Sequence, residues 1–292
     1  MYNEKIKIRL SDFTDCEHLF NWRSDKLSRS MFLKESTPSI EEHMAWFENS
    51  LCNPDRTIYI GEIGDKRIGM CRFDFIKSEL LAEVSINMNP KNRSQGFGKR
   101  LLAESINYYL KKNKHNLLAK VKPTNLASLK IFEFAGFEAI TNKKNVVTLV
   151  KSLKDLSFKE VTEKDADILF KLLKRRKHSI SHNRLPTEDE HLLFVKKKPY
   201  RYWAVVLEDK CPIGTFYIQS DNSIGLNLSR PTIFVVSKIF QHIKMNFKPL
   251  KEIKSKVPSY FYVNISYVNK KLSKILRELN ALPIQTSYKI QI

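Results

Sequence analysis

Apolar residues near the middle of the first half change their spacing from every second residue to one face of a helix. Val84, Ile86 and Met88 alternate with polar residues, and this alternation predicts a strand. Between positions 101 and 110 the apolar residues recur at helical spacing, which predicts an amphipathic helix. Residues 89–100 connect the two elements, so this connection leads into the N-terminus of a helix.

The rest of the first half alternates short strands and short helices. Ser39 and Glu42 match a capping box at the start of a helix, and Asn125 is placed to cap another. Gly64 followed by Asp65 predicts a hairpin turn. The predicted elements in order are a strand at 6–10, helices at 13–22 and from 39 to 47, strands at 56–61 and 67–75, the central strand and its helix, a strand at 117–121, a helix at 125–134 and a strand at 146–149.

The second half of the chain repeats the first half weakly but in the same order. We therefore expect two tandem domains of related fold, residues 1–152 and residues 153–292. The final stretch, 287–292, would supply the last strand of the second domain. The matching positions are Glu42-His43 with Glu190-His191, Asp65–Gly69 with Asp209–Gly214, Ser85–Met88 with Gly225–Leu228, and Asn125 with Asn269.

The connection after the central strand has the composition of an anion-binding turn. Gly96 and Gly98 allow positive φ angles and a close approach of the backbone to a ligand. The helix that follows offers free amides and a partial positive charge at its N-terminus. Arg93, Lys99 and Arg100 add full positive charges. The spacing differs from that of a P-loop and from the three-glycine dinucleotide motif, so it indicates a different anionic ligand.

Two motifs in this half resemble the signatures of the GNAT family of acyl-CoA-dependent N-acetyltransferases. Arg93, Gly96 and Gly98 match the pattern Gln/Arg-x-x-Gly-x-Gly/Ala of the family's pyrophosphate loop. Residues 125–137 resemble its second motif, Asn-x-x-Ala-x-x-x-Tyr-x-x-x-Gly-Phe. The resemblance covers roughly residues 5–152. It implies an α/β (α+β) fold, repeated in tandem, in which helices flank a mixed, mostly antiparallel twisted sheet.

The same resemblance implies acetyl-CoA as the co-substrate, without a metal, and assigns the residues that would hold it. Backbone groups of the central strand would bind the pantetheine arm and the thioester, and loop amides would bind the pyrophosphate. Asn125 would bond to the pantetheine arm, and Phe132 would pack on the cofactor. The strand positions are Ile86, Asn87 and Met88, and the loop positions are Arg93, Ser94, Gln95, Gly96, Phe97, Gly98 and Lys99.

Two residues are candidates for the general base that removes a proton from the acceptor amine. Glu83 is the first, because it stands at the entry of the central strand, where side chains of the family face the acceptor. His43 is the second, although its apolar helix face and its counterpart His191 favour a structural role. The tyrosine that protonates the leaving thiolate in the family corresponds to Phe132, which cannot donate a proton.

The segments 22–25, 31–32 and 42–47 resemble those of acetyltransferases that act on amino-sugar nucleotides in nonulosonic acid synthesis. The acceptor would be the 4-amino group of a UDP-linked 4-amino-4,6-dideoxy-N-acetylhexosamine, with Trp22 and Arg23 binding it. Alternatively, Trp22 belongs to the core and Arg23 to a surface ion pair. A protein N-terminal acetyltransferase is the rival class, but its glutamate corresponds to Lys120 and its tyrosine to Phe132. A non-catalytic module that binds CoA or nucleic acid is the third interpretation.

The second domain lacks the residues of the anion-binding turn. Leu228 is followed by a stretch without glycine, and Asn280-Ala281 replaces the glycine–phenylalanine pair of the second motif. We therefore expect a degenerate GNAT-like domain without a pyrophosphate loop. It would act as a scaffold, as a wall of the substrate pocket or as the surface of a homodimer.

Composition sets the remaining expectations. A chain of 292 residues with 42% hydrophobic residues can form two cores. The net charge of +20 comes mostly from scattered lysines, which favours a solvated surface that attracts anionic small molecules over one that binds nucleic acid. We expect no membrane span and no signal peptide. Because the four cysteines lack metal or disulfide spacing, we expect a cytoplasmic protein.

Overall fold

The computed structural model describes residues 5–143, 145–178 and 184–287. The chain divides into two compact units, Met1–Leu153 and Lys154–Ile292. The terminal strand expected at 287–292 lies, apart from Ser287, outside the described residues.

The first unit contains seven strands and five α-helices within the described residues. The strands are β1 (Lys7–Leu10), β2 (Arg56–Ile63), β3 (Lys66–Ile76), β4 (Leu81–Met88), β5 (Asn116–Val121), β6 (Glu138–Lys143) and β7 (Val146–Lys151). The helices are α1 (Cys16–Ser24), α2 (Lys26–Met31), α3 (Ile40–Leu51), α4 (Phe97–Leu110) and α5 (Leu126–Phe134). All the predicted elements of this half are present, and α2 and β6 are additional.

The two additional elements have weak sequence patterns. Helix α2 is six residues long and begins after Asp25, whose side chain accepts a hydrogen bond from the Ser28 amide. Strand β6 pairs with β7 and is mostly exposed, so its sequence shows no apolar alternation. Hydrogen bonds rather than an apolar pattern define both elements, which explains why the sequence did not predict them.

The seven strands form one mixed sheet in the order β1-β2-β3-β4-β5-β7-β6. Every neighbouring pair is antiparallel except β4 and β5, which run parallel. Helix α4 lies between β4 and β5 in the chain, because parallel neighbours need a long crossover connection. The predicted fold class, a mixed and mostly antiparallel sheet flanked by helices, is confirmed.

Strands β4 and β5 pair only at their first residues. The paired positions are Leu81 with Asn116, Ala82 with Leu117, and Glu83 with Leu118. Beyond Glu83 the two strands form no further pairs, although β4 continues to pair with β3 as far as Met88. One edge of β4 from Val84 to Met88 therefore has no strand partner, which opens a gap in the sheet.

Each face of the sheet carries its own group of side chains. The face under α4 and α5 holds the main core, in which Phe73, Leu101 and Leu117 have no exposed surface. Alternate residues of β3 and β4, among them Arg72 and Glu83, point to the opposite face. The smaller buried cluster on that face, under α1 and α3, comprises Leu19, Trp22, Phe47, Ile58 and Ile60.

A buried carboxylate joins the start of the first unit to its sheet. Asp15 has no exposed surface, and its oxygens accept hydrogen bonds from Arg9 and Arg67. The shortest nitrogen–oxygen distance is 2.7 Å in each pair. Burial raises the pKa of Asp15, but the hydrogen bonds, first of all that from Arg9, outweigh it, so the pKa lies below its ordinary value.

The second unit contains five strands and four α-helices in the part that the structure describes. The strands are β8 (Leu156–Glu160), β9 (Tyr202–Glu208), β10 (Cys211–Ile218), β11 (Ser223–Leu228) and β12 (Tyr262–Val263). The helices are α6 (Ala166–Lys174), α7 (Glu188–Lys196), α8 (Ile233–Asn246) and α9 (Lys270–Glu278). The strands form a sheet in the order β12-β11-β10-β9-β8, in which β11 and β12 are the one parallel pair within the described residues.

Several local contacts of the first unit recur in the second unit. A capping box begins the helix that precedes the second strand of each unit, α3 in the first and α7 in the second. An asparagine with similar φ and ψ angles caps α5 in the first unit and α9 in the second. The paired contacts are Ser39–Glu42 with Thr187–Glu190, Asn125–Ser128 with Asn269–Leu272, and Arg9–Asp15 with Lys159–Asp165. The caps predicted at Ser39 and Asn125 are thereby confirmed.

We expect Asp15→Asn to destabilise the first unit by about 3 kcal/mol, because two guanidinium groups lose a buried carboxylate. Asp165→Asn is the matched control in the second unit. Asp165 is also buried, but its partner Lys159 is half exposed, so this change should cost about 1 kcal/mol. Chemical denaturation followed by circular dichroism measures both free energies of unfolding. Equal losses would contradict the importance assigned to the double ion pair of Asp15.

Candidate functional site

The loop between β4 and α4 leaves the first turn of α4 open to an anion. Ser94 and Gly96 have positive φ angles, of 60° and 79°. Gly96 is the residue that precedes α4, and no side chain caps the helix there. The first amides of α4 are therefore available, and the helix dipole adds partial positive charge. Backbone of this shape binds phosphate groups.

Gly96, at the end of the loop, and Gly98, in the first turn of α4, leave space for a ligand. Gly96 holds a left-handed conformation that costs other residues about 1–2 kcal/mol. No atom lies within 4 Å of the position that a Cβ would take at Gly96. At Gly98 a Cβ would contact Met88 and Ile131 at 3.8 and 3.9 Å. Open space at an uncapped helix N-terminus fits the pyrophosphate of acyl-CoA.

The unpaired edge of β4 leads into this loop. Ile86, Asn87 and Met88 lie in the part of β4 that has no partner in β5. The side chain of Asn87 is buried and accepts a hydrogen bond from Ser28 Oγ at 3.3 Å. The gap leaves backbone groups free on one side of β4, as the predicted contacts with the pantetheine arm require. Those contacts stay a prediction.

Arg93 has a different environment from the one expected. Its guanidinium donates hydrogen bonds to Asp25 Oδ2 at 2.7 Å and to Ser28 Oγ at 2.5 Å. The Ser28 amide also donates to Asp25, and this bond, together with Arg93, lowers the pKa of Asp25. Arg93 thus joins α2 to the loop, and its expected contact with the cofactor stays a prediction.

The other loop side chains are mostly exposed. Gln95 donates a hydrogen bond from its amide to the Lys91 carbonyl at 3.0 Å. The ammonium of Lys99 lies 4.8 Å from the centre of the Phe134 ring. The backbone contacts with pyrophosphate expected at Ser94, Gln95, Gly96, Phe97, Gly98 and Lys99 stay predictions, and the exposure of this segment leaves its backbone accessible.

Asn125 and Phe132 both contribute to the packing of α5. Asn125 accepts a hydrogen bond from the Ser128 amide at 3.1 Å. Phe132 is 2% exposed and lies edge-to-face on Phe137, with ring centres 5.0 Å apart. Contacts of either residue with the cofactor stay predictions. Because Phe132 has no hydroxyl, the proton for the leaving thiolate must come from elsewhere.

Glu83 lies where β4 and β5 separate, on the face of the sheet opposite α4. Its carboxylate accepts a hydrogen bond from Lys120 Nζ at 3.0 Å. Both side chains are partly exposed, by 33% for Glu83 and 41% for Lys120, so solvent and a ligand can reach the carboxylate. A carboxylate at the end of the gap can take a proton from an amine, directly or through water.

Two arginines with aromatic neighbours share the face that carries Glu83. The guanidinium of Arg23 lies 4.7 Å from the centre of the Phe32 ring, and that of Arg72 lies 5.7 Å from the centre of a Trp46 ring. Burial, and then the charge of Arg72, lowers the pKa of Arg23. Burial also lowers the pKa of Arg72, although its Nε lies 2.8 Å from Asp74. The poorly hydrated charge of Arg23, which has no carboxylate partner among the described residues, favours the binding of an anion next to Arg72.

Sequence reasoning predicted that Arg23 binds the acceptor, included Phe32 and Trp46 in the resemblance without giving them a role, and missed Arg72. Among the described residues, Arg23 forms no ion pair with a carboxylate. The alternative that Arg23 belongs to a surface ion pair therefore finds no support in this part of the chain. A signal for Arg72 was present, because charged residues interrupt the apolar alternation of β3 on one face.

The environment of Trp22 favours the core alternative, and a contact of Trp22 with the acceptor stays a prediction. Its side chain is 4% exposed and belongs to the buried cluster with Leu19 and Phe47. A ring in that position stabilises the packing of α1 and α3 on the sheet.

His43 is buried between α1 and α3. It is 2% exposed, and its Nε2 lies 3.2 Å from the Cys16 carbonyl oxygen. The ring contacts Phe20 and Trp46, and burial lowers the pKa of His43. His191 is buried in the second unit, where burial also lowers its pKa. This geometry favours a structural role, and the catalytic role of His43 stays a prediction.

Residues 5–138 match the family model of the Acetyltransferase (GNAT) domain. The first unit contains a GNAT acetyltransferase domain. Such domains are acyl-CoA-dependent N-acetyltransferases, and the chain is an enzyme of that class. No curated protein sequence matches the chain.

Solved structures similar to the GNAT domain cover about half of the chain. The spermidine N-acetyltransferase of Vibrio cholerae, in complex with CoA and spermine, is 17% identical over 51% of this chain and 94% of its own, with a TM-score of 0.45. The N-acetyltransferase PseH of Campylobacter jejuni is 19% identical over 51% and 98%, with a TM-score of 0.40. An N-acetyltransferase of Staphylococcus aureus Mu50 is 20% identical over 51% and 99%, with a TM-score of 0.42.

None of the helices described is long and apolar enough to cross a membrane. Among the described residues, no group of three or more His, Cys, Asp or Glu side chains is arranged to hold a metal ion.

We expect Gly96→Ala to weaken acetyl-CoA binding about tenfold, because alanine at position 96 adopts the left-handed conformation only at a cost of about 1–2 kcal/mol. Gly64→Ala is the matched control. Gly64 also has a positive φ of 55° with open space around it, but it lies in the β2–β3 hairpin. Isothermal titration calorimetry with acetyl-CoA measures both. Equal affinities of the two variants would exclude the loop as the pyrophosphate site.

Proposed function

We propose that the GNAT domain transfers acetyl from acetyl-CoA to the 4-amino group of a UDP-linked 4-amino-4,6-dideoxy-N-acetylhexosamine. Residues 1–152 would form the catalytic domain. The observation that carries the choice of acceptor is the pair Arg23 and Arg72, with their aromatic neighbours, on the face that carries Glu83.

The reaction needs few protein groups. The neutral amine attacks the thioester carbonyl carbon, so that a C–N bond forms, the C–S bond breaks and CoA leaves as a thiolate. The amine loses a proton, which Glu83 accepts through water. The thiolate takes a proton from solvent, because Phe132 cannot donate one. The free backbone amides of β4 are available to the oxyanion that forms during the attack.

The charges near Glu83 favour an anionic acceptor. The diphosphate of a UDP-sugar offers oxygens that guanidinium groups bind in bidentate geometry. The rings of Phe32 and Trp46 offer flat apolar surfaces for the uracil base. A polyamine would instead bring positive charge next to Arg23 and Arg72, which opposes its binding. A nucleotide sugar therefore matches the site better than a polyamine.

A protein N-terminal acetyltransferase is the second candidate. In that class a glutamate stands on the strand before the capping asparagine, and here Lys120 takes its place and bonds to Glu83. The tyrosine of that class is replaced by Phe132. Both differences argue against this candidate. Acetylation of short peptides with free N-termini tests it directly.

For residues 153–292 we propose a degenerate GNAT-like domain that does not bind acyl-CoA. Four residues connect β11 to α8, and none of them is glycine. Thr232 caps α8 by accepting a hydrogen bond from the Val235 amide at 3.2 Å. A short connection and a capped helix leave no cradle of free amides for a pyrophosphate. This domain would serve as a scaffold or as an interface.

We expect Arg72→Gln to raise the KM for the UDP-amino sugar about 10- to 100-fold, because charge-assisted bonds to the diphosphate are lost. The assay measures thiol release from acetyl-CoA and the product mass, with the UDP-amino sugar and, separately, with short peptides that have free N-termini. Acetyl-CoA affinity should not change.

Arg56→Gln is the matched control for Arg72→Gln. Arg56 also bonds to Asp74, at 2.5 Å, and also lies over Trp46, at 5.5 Å. It further donates a bond to Ser50 at the end of α3. The control should keep the KM of the wild type. Equal KM increases in both variants, or acetylation of peptides alone, would overturn the proposed acceptor.

Glu83→Gln should lower kcat about 10²- to 10⁴-fold, because the amine loses its general base. Acetyl-CoA affinity should stay as in the wild type. Glu62→Gln serves as the control, since Glu62 is a carboxylate of the same sheet that pairs with Arg9 at 2.7 Å. Stopped-flow detection of the released thiol separates the two. A kcat of Glu83→Gln within a few-fold of the wild type would assign the proton transfer to another group.

A further inference from the structure

Phe134 is an aromatic residue that the core does not use. It ends α5 and is 66% exposed, whereas Phe132 is 2% and Phe137 is 3% exposed. Placing a phenyl ring in water forgoes about 1.5–3 kcal/mol of burial energy. The ring is therefore available to a ligand.

The exposed ring lies next to the first turn of α4. Ile131, one turn before Phe134 in α5, would be 3.9 Å from a Cβ at Gly98. Lys99, in the same first turn, places its ammonium 4.8 Å from the centre of the Phe134 ring. The ring thus stands at the rim of the loop that fits the pyrophosphate of acyl-CoA.

The pair of Lys99 and Phe134 has the chemistry of a nucleotide site. The ammonium lies over one face of the ring, and the high exposure leaves further ring surface accessible. Acyl-CoA continues beyond its pyrophosphate into a ribose with a 3′-phosphate and an adenine base. A base stacks on an aromatic ring without needing hydrogen-bond partners, and a nearby lysine attracts phosphate.

We propose that Phe134 is the stacking platform for the adenine base of acyl-CoA, with Lys99 placed between the ring and the phosphates. This inference rests on the proposed use of acetyl-CoA by the GNAT domain. It assigns to the last residue of α5 a role in cofactor affinity rather than in the chemical step.

Calorimetric titration of the full chain with three ligands tests the proposal. The ligands are CoA, dephospho-CoA, which keeps adenosine but lacks the 3′-phosphate, and 4′-phosphopantetheine, which lacks adenosine. Phe134→Ala should weaken binding of CoA and of dephospho-CoA about 5- to 100-fold, as expected for the loss of one stacked base. Its affinity for 4′-phosphopantetheine should equal that of the wild type. Phe134→Trp should keep the affinity for CoA.

Leu126→Ala is the matched control on the same helix. Leu126 is 64% exposed, close to the 66% of Phe134, but it lies in the first turn of α5 instead of the last. This variant should bind all three ligands like the wild type. If both variants instead reduced self-association equally and left CoA binding unchanged, the exposed residues of α5 would form a protein interface and the proposal would be wrong.

Three further outcomes would overturn the proposal and can be told apart. If the wild type binds CoA and Phe134→Ala binds it equally well, the adenine site is wrong and the proposed function stands. If the wild type binds none of the three ligands, the proposed function fails and the adenine site fails with it. An equal loss for CoA and 4′-phosphopantetheine would show that the ring supports the loop and does not stack on the base.

Discussion

The separation of β4 from β5 is the constraint on which the candidate site depends. The strands pair through Glu83 and then diverge, so β4 keeps its bonds to β3 but lacks a neighbour on the other side. Unpaired backbone groups that are shielded from water cost about 1–3 kcal/mol each. A ligand with amide groups, such as a pantetheine arm, can supply the missing hydrogen bonds. The uncapped N-terminus of α4 follows after the loop of residues 89–96 and would supply the proposed phosphate site.

Arg93 joins the proposed acceptor side of the GNAT domain to the proposed cofactor side. Its bonds to Asp25 and Ser28 hold α2 against the loop, and Ser28 in turn bonds to Asn87 of β4. The segment that begins with α2 continues to Phe32, over which Arg23 lies. One arginine therefore positions the loop and the helix that lead to the two proposed binding sites. A charged residue in a cofactor motif can therefore also hold the motif against a neighbouring helix.

Local interactions of the fold could be predicted from the sequence, and long-range interactions could not. The Ser39–Glu42 box, the Asn125 cap and the glycine end of α5 each depend on residues within four positions of each other. The partner of Arg93 lies 68 positions away, and any acidic residue of the chain was an equal candidate. The grouping of Arg72 with Trp46 depends on how α3 packs on the sheet, which no local pattern encodes. The burial of Trp22 follows from the same packing.

The second unit also differs from the first on the sheet face that corresponds to the one carrying Arg72. In the first unit Arg72 of β3 stands opposite Ser85 of β4. In the second unit Tyr217 of β10 stands opposite Gly225 of β11, and a Cβ at Gly225 would lie 2.0 Å from the Tyr217 ring. Tyr217 also stacks on Tyr200 at 3.9 Å. Aromatic packing there fills the sheet position at which the first unit places a guanidinium. Such packing leaves no charge for an anion to neutralise at this position, whereas the first unit has Arg72 there, in the proposed acceptor site.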